Sequence, residues 1–237
     1  MKREALSPIA CAYIAVTSMV AIGCAALLWS AHRSSAAPAE FLWITTLGML
    51  AHAYPIRASR HQAYQVTLPF IIIASALFST PQLLAFIVLI HAAEQIRLRR
   101  PGYIQLFNLC GYFLSAAAAA ILYQRAIGLM PVSALSTVEA ALAAGCTFVV
   151  VNRLLLSGAL WIARDLSPLR SGLFSPELLA ADLVIIWISG PMLVLSTEGG
   201  SWLLLVAAGP LWLARLALGA ILAQPGRSNT EAPPKAA

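Results

Sequence analysis

The chain has 237 residues, of which 60% are hydrophobic and only 10% charged, with a formal net charge of +6 at pH 7. Its mean hydropathy is +0.83. Soluble domains are about 45–50% apolar and about 25% charged, so this composition excludes a water-soluble globular domain, a disordered chain, a collagen-like fibre and a disulfide-rich secreted module.

What remains is an integral membrane protein, an all-α polytopic bundle. A spanning helix needs about 20 mostly apolar residues. Eight apolar segments follow one another, over residues 8–30, 38–54, 66–79, 81–97, 103–125, 132–163, 174–196 and 201–223. The third and fourth are short. They either cross or dip back as a re-entrant hairpin, and sequence does not choose between these. Turn chemistry makes the cuts: Pro55, Pro81, the RRPG at 99–102, the GLMP at 128–131, the SPLRSG at 167–172 and the EGG at 198–200. Residues 1–223 are expected to form one membrane domain. Residues 224–237, polar and proline-containing, are expected to be a disordered tail. Lys2-Arg3 and the SSAAPA stretch imitate a signal peptide, but the first apolar run is long enough to span and is expected to stay uncleaved.

Charge placement orients the bundle. With the N-terminus inside, the inner set is Lys2, Arg3, Arg57, Arg60, Arg97, Arg99, Arg100, Arg164, Arg170, Arg227 and Lys235, and the outer set is Arg33 and Arg125. This bias favours an even number of crossings with both termini cytoplasmic. It also directs the basic excess at anionic lipid headgroups rather than at nucleic acid. Trp29, Trp43, Trp161 and Trp202 fall near segment ends, where interfacial rings sit well, whereas Trp187 and Trp212 fall mid-span and are expected to pack between helices.

Polar residues inside apolar spans are the candidates for function, because they cost free energy there. Arg153 lies 11 residues before Arg164, and Asp182 lies 8 residues into the seventh segment. At 1.5 Å per residue these are depths of roughly 16 Å and 12 Å, so antiparallel neighbours would bring the two together. A buried ion pair follows, with Asn152 beside it and Arg215 on the eighth segment as a rival partner. Asn108 on the fifth segment completes the expected ligand-binding cluster of Asn108, Asn152, Arg153, Asp182 and Arg215. The competing reading makes the pair a structural staple. Glu139 and Arg125 are expected to form an interfacial pair. His91 and Glu94 are three residues apart, and His52 and His61 should share their side of the membrane. These are expected to be solvated or interfacial rather than metal ligands. The four cysteines sit in apolar runs with no CxxC spacing. No Walker loop, GxSxG or HExxH occurs, so no catalytic residue, metal or cofactor is expected.

Several landmarks act together: YPI (54–56), QVTLPF (65–70), STP (79–81), LFNLCGYFLSAAAA (106–119), VVVNRLLLSGALWIARDLSP (149–168) and GPLWLARLALG (209–219). The chain resembles the multi-span N-terminal membrane region of bacterial signalling proteins that end in GGDEF or HD-GYP modules, with LFN and VN as the most specific marks. No output module follows Gly219, so the resemblance implies a stand-alone input or regulatory domain of the bacterial inner membrane. It implies no cyclic-nucleotide chemistry. The expected function is a non-enzymatic sensory or ligand-binding membrane protein, with a small ligand and a cytoplasmic or membrane signalling partner. A solute-binding transporter subunit is the alternative, and an intramembrane enzyme comes third.

Overall fold

The computed structural model describes residues 6–29, 35–54, 56–57, 63–64, 66–209 and 213. Seven α-helices carry the described fold: α1 (Pro8–Trp29), α2 (Pro38–Ala53), α3 (Leu68–Leu77), α4 (Thr80–Leu98), α5 (Gly102–Leu129), α6 (Ala134–Arg164) and α7 (Pro176–Glu198). A 3-10 turn, Ser201–Leu203, follows α7. Between α2 and α3 the strands β1 (Ile56–Arg57) and β2 (Ala63–Tyr64) pair antiparallel, a ribbon that the sequence reading did not anticipate. Four helices, α1, α5, α6 and α7, are long and apolar enough to cross a membrane. The eighth segment is helical over residues 204–209, whereas 210–212, with Trp212, and 214–223, like the tail, lie outside the described residues.

Prolines set most of the helix starts. Pro38, Pro69, Pro81 and Pro176 each stand in the first turn of their helix. There a missing N–H costs nothing, because that N–H would have no intrahelical acceptor. At the other end of α4, Arg99 adopts a left-handed conformation (φ 48°) and stops the helix before Pro101.

Side-chain contacts fix the helix directions. Thr80 Oγ1 donates to the Leu28 carbonyl at the end of α1 (3.0 Å), and Gln124 Nε2, late in α5, donates to the Ala76 carbonyl at the end of α3 (3.1 Å). The Gln82 amide holds both backbone groups of Ala36, just before α2 (3.0 and 2.9 Å). At the opposite end Tyr13 OH, early in α1, donates to the Leu155 carbonyl, late in α6 (2.9 Å). Gln105, early in α5, donates to the His91 carbonyl (2.7 Å). The seven helices therefore alternate in direction, and α2 runs parallel to α4. One end of the bundle collects Arg97, Arg99, Arg100, Arg164 and Arg170. Among the described residues the other end has Arg125.

Helix α3 lies inside this bundle, packed chiefly on α7 and α5. Every residue from Leu68 to Ala76 is buried. A helix that is apolar all round needs protein or lipid on every side, and here protein supplies it. Its ten residues span about 15 Å, half of a ~30 Å hydrocarbon core. The fourth segment, expected to be short, has 19 residues. The most extensive helix pairing joins α5 and α6, and both carry fully buried small residues: Ala116, Ala120, Ala140 and Ala144. In lipid, close backbone approach at small residues supplies the dispersion contact that holds helices together. Ile9, Met19, Ile22 and Leu27 of α1, by contrast, face outward. So does Trp187, which is 64% exposed rather than packed between helices. The large apolar area of the ring can face hydrocarbon as well as a neighbouring helix.

Candidate functional site

The sequence-derived cluster assembles in part. Arg153 of α6 and Asp182 of α7 are both buried, and the guanidinium donates to Asp182 Oδ2 through Nε (3.0 Å) and through Nη2. Both bonds converge on one oxygen, so this is not a two-oxygen fork. Asn152 and Asn108 are half-buried, and neither makes a side-chain hydrogen bond among the described residues. Arg215 lies outside the described residues. The ion pair ties α6 to α7 at the depth that helix arithmetic gives. Glu139 and Arg125 are both exposed, and no ion pair joins them among the described residues, contrary to expectation. They sit on different helices at the end of the bundle where water can solvate each separately, which removes any need to pair.

A second cluster is more deeply enclosed. His52, next to last in α2, is 0% exposed, His91 of α4 is 2% and Glu94 of α4 is 1%. The expectation that His91 and Glu94 are solvated or interfacial is therefore wrong. The i, i+3 spacing does put them on one face of α4, but that face meets α2 rather than water. His52 Nε2 stands 3.3 Å from His91 Nδ1. Glu94 Oε2 stands 3.7 Å from each of these two nitrogens. Three lone-pair atoms from two helices thus meet in a small triangle. His61 lies outside the described residues.

Each member is held from behind. His52 Nδ1 contacts Thr67 Oγ1 at 3.1 Å, which closes the base of the β1–β2 ribbon, since His52 precedes it and Thr67 follows it. With the proton on Nδ1, the ring donates to Thr67 and turns the Nε2 lone pair toward His91. Glu94 Oε1 forms an ion pair with Arg100 Nη2 at 3.0 Å, and Oε2 faces the imidazoles. The His91 backbone is fixed by Gln105 of α5. The Tyr112 ring stands edge-on to both imidazoles, with centroids 5.4 Å from His52 and 4.8 Å from His91, and Phe148 packs edge-on behind it at 5.6 Å. On the solvent side Arg97 lies over the Tyr54 ring at 4.1 Å and donates through Nη1 to the Ala53 carbonyl, capping the end of α2.

Gly48 explains how α2 and α4 come this close. A Cβ there would stand 2.7 Å from Phe86 Cε2, and Phe86 is fully buried. Gly48 is one turn before His52, so the tight contact sets the separation at the cluster. The sequence signal that could have found the site is this: a His one turn after a Gly on α2, and His-x-x-Glu at the matching depth of α4. Using it requires knowing that the two helices run parallel. The chain matches no family model, no curated protein and no solved structure.

Proposed function

We propose that the chain is an integral protein of the bacterial inner membrane that binds a ligand at the His52–His91–Glu94 centre and acts by regulation rather than by catalysis. The observation that carries this reading is the convergence of two imidazoles and a carboxylate, all buried, just beneath the arginine-rich end of the bundle. Ionisable groups held in a membrane protein's interior are costly, and they persist where they serve a ligand, an ion or a proton. The centre spans the α2–α4 contact and the base of the ribbon. Occupancy there would bias how these elements pack, and a cytoplasmic or membrane partner would read the change at the basic face. Such a shift needs only a difference in ligand affinity between two packings. An even number of crossings with both termini in the cytoplasm fits the collection of arginines at one end.

Complementation tests the reading. In cells lacking the gene, His91→Ala or Glu94→Gln chains made at the normal level should fail to restore the wild-type phenotype, whereas Trp187→Phe should restore it. Full rescue by both centre variants would overturn it. One feature favours transport as a second reading: α3 is a short helix buried within the bundle, and broken or short helices border the sites of many transporters. Solute accumulation in proteoliposomes containing the chain would favour that alternative.

A further inference from the structure

We propose that His52 Nε2, His91 Nδ1 and Glu94 Oε2 bind a divalent first-row transition-metal ion, with a fourth position left for water or a further ligand. This deepens the reading of the centre as a ligand site and rests on it. The His52–His91 contact, at 3.3 Å, is within reach of a hydrogen bond, so the distances from the imidazoles to the carboxylate carry the argument. The two imidazole–carboxylate separations are 3.7 Å. Hydrogen bonds from nitrogen to oxygen fall at about 2.7–3.2 Å, so these contacts are too long to be direct ones. They are the right length to share an ion. A point equidistant from the corners of a triangle with sides of 3.3, 3.7 and 3.7 Å lies about 2.1 Å from each corner, against about 2.0–2.1 Å for Zn–N and 2.0–2.2 Å for Zn–O bonds.

The donor set selects the ion. Two imidazoles and one carboxylate suit zinc, iron, cobalt, nickel or copper. Calcium prefers six to eight oxygens at about 2.3–2.6 Å, and magnesium prefers an octahedron of oxygens with retained water, so neither fits. The surroundings have the form that a metal centre needs. A ligating imidazole is oriented by a partner on its other nitrogen, as Thr67 does for His52. The other oxygen of the carboxylate pairs instead with Arg100, a cation with which a bound dication would compete for Glu94. His91 departs from this pattern: its Nε2 is buried with no hydrogen-bond partner among the described residues, and the ring is held through its backbone by Gln105.

The test uses the full chain purified in detergent, stripped with a chelator and equilibrated with Zn2+ or Co2+. One ion per chain is expected by elemental analysis, with the visible absorption of low-symmetry, nitrogen-ligated Co2+. His91→Ala and Glu94→Gln should each weaken binding at least about 100-fold while the protein stays monodisperse. Thr67→Val should weaken it about tenfold without changing the Co2+ band shape, as expected for a residue that only orients a ligand. A folded wild-type chain that takes up no ion, or uptake indifferent to both ligand variants, would overturn the assignment. Should the ligand variants fail to fold, the wild-type Co2+ spectrum decides alone: absence of imidazole ligation would overturn it. A metal-free result combined with failed complementation by the same variants would remove the metal and leave the ligand site standing.

Discussion

Gly48 and Phe86 touch at a point where no side chain larger than hydrogen fits: a Cβ on Gly48 would lie 2.7 Å from one atom of the Phe86 ring and 3.0 Å from the next. Phe86 is itself fully buried, so the ring can yield only by shifting its neighbours. Gly48→Ala should therefore push α2 from α4 and lower stability by about 1–3 kcal/mol, the usual cost of overpacking. The same change should weaken ligand binding one turn away, at His52. Thermal unfolding in detergent gives the first quantity and metal titration the second. An unchanged unfolding temperature with unchanged affinity would mean that the contact does not set the helix spacing.

The Arg153–Asp182 pair should behave as a staple. Removing one partner, by Arg153→Met or Asp182→Asn, should cost about 3–5 kcal/mol, because it strands a buried charge. Replacing both, by Arg153→Met with Asp182→Leu, should recover much of that loss. Chemical unfolding of the two single variants and the double variant measures the coupling. A double variant as unstable as the singles combined would show that the two residues act independently. Metal uptake should be unaffected in any variant that folds.

Gln82 ties the start of α4 to the residue before α2, at the end of the bundle away from the arginines. Its amide accepts from the Ser79 and Ala36 backbones and donates to the Ala36 carbonyl. Gln82→Ala should cost about 1–3 kcal/mol by leaving these groups unsatisfied. Hydrogen exchange should rise at Ala36 and at the start of α4, with the His52 centre left intact. Exchange unchanged at Ala36 would show that the bond contributes nothing in solution.

Arg100 makes an opposite and sharper prediction. In the metal-free protein its guanidinium balances the buried Glu94 carboxylate. A bound dication would do the same work and would be repelled by Arg100. Arg100→Gln should therefore lower the stability of the metal-free chain and raise Zn2+ affinity about tenfold, equivalent to roughly 1.4 kcal/mol. Titration of both proteins with Zn2+ separates the effects. Weaker binding in the variant would mean that Arg100 serves mainly to hold Glu94 in place.

The sequence carries the helices well and the centre poorly, for reasons that residues make clear. Helix ends coincide with prolines and glycines, whose backbone limits are local and need no tertiary knowledge. Arg153 and Asp182 could be matched because they lie on consecutive antiparallel helices, where counting residues from the shared turn gives depth. His52 and His91 lie on α2 and α4, which are not consecutive. Their depths can be compared only once α3 is known to return the chain through the bundle. His91 and Glu94 near a helix end also carry the same sequence signature as interfacial residues, and burial by α2, Tyr112 and the ribbon is a tertiary fact. Trp187 misleads in the other direction, since an apolar mid-span position is equally suited to lipid and to a helix contact.

The central claim is that the bundle crosses a membrane with its arginine-rich end, and the centre beneath it, on the cytoplasmic side. It is tested most directly by labelling single cysteines at Arg99 and at Val132, both exposed and at opposite ends of the bundle. The background is a chain whose four native cysteines are changed to alanine. An impermeant maleimide should label Val132→Cys in intact spheroplasts and Arg99→Cys only after permeabilisation. Equal labelling of both in intact spheroplasts, or the reverse order, would contradict it.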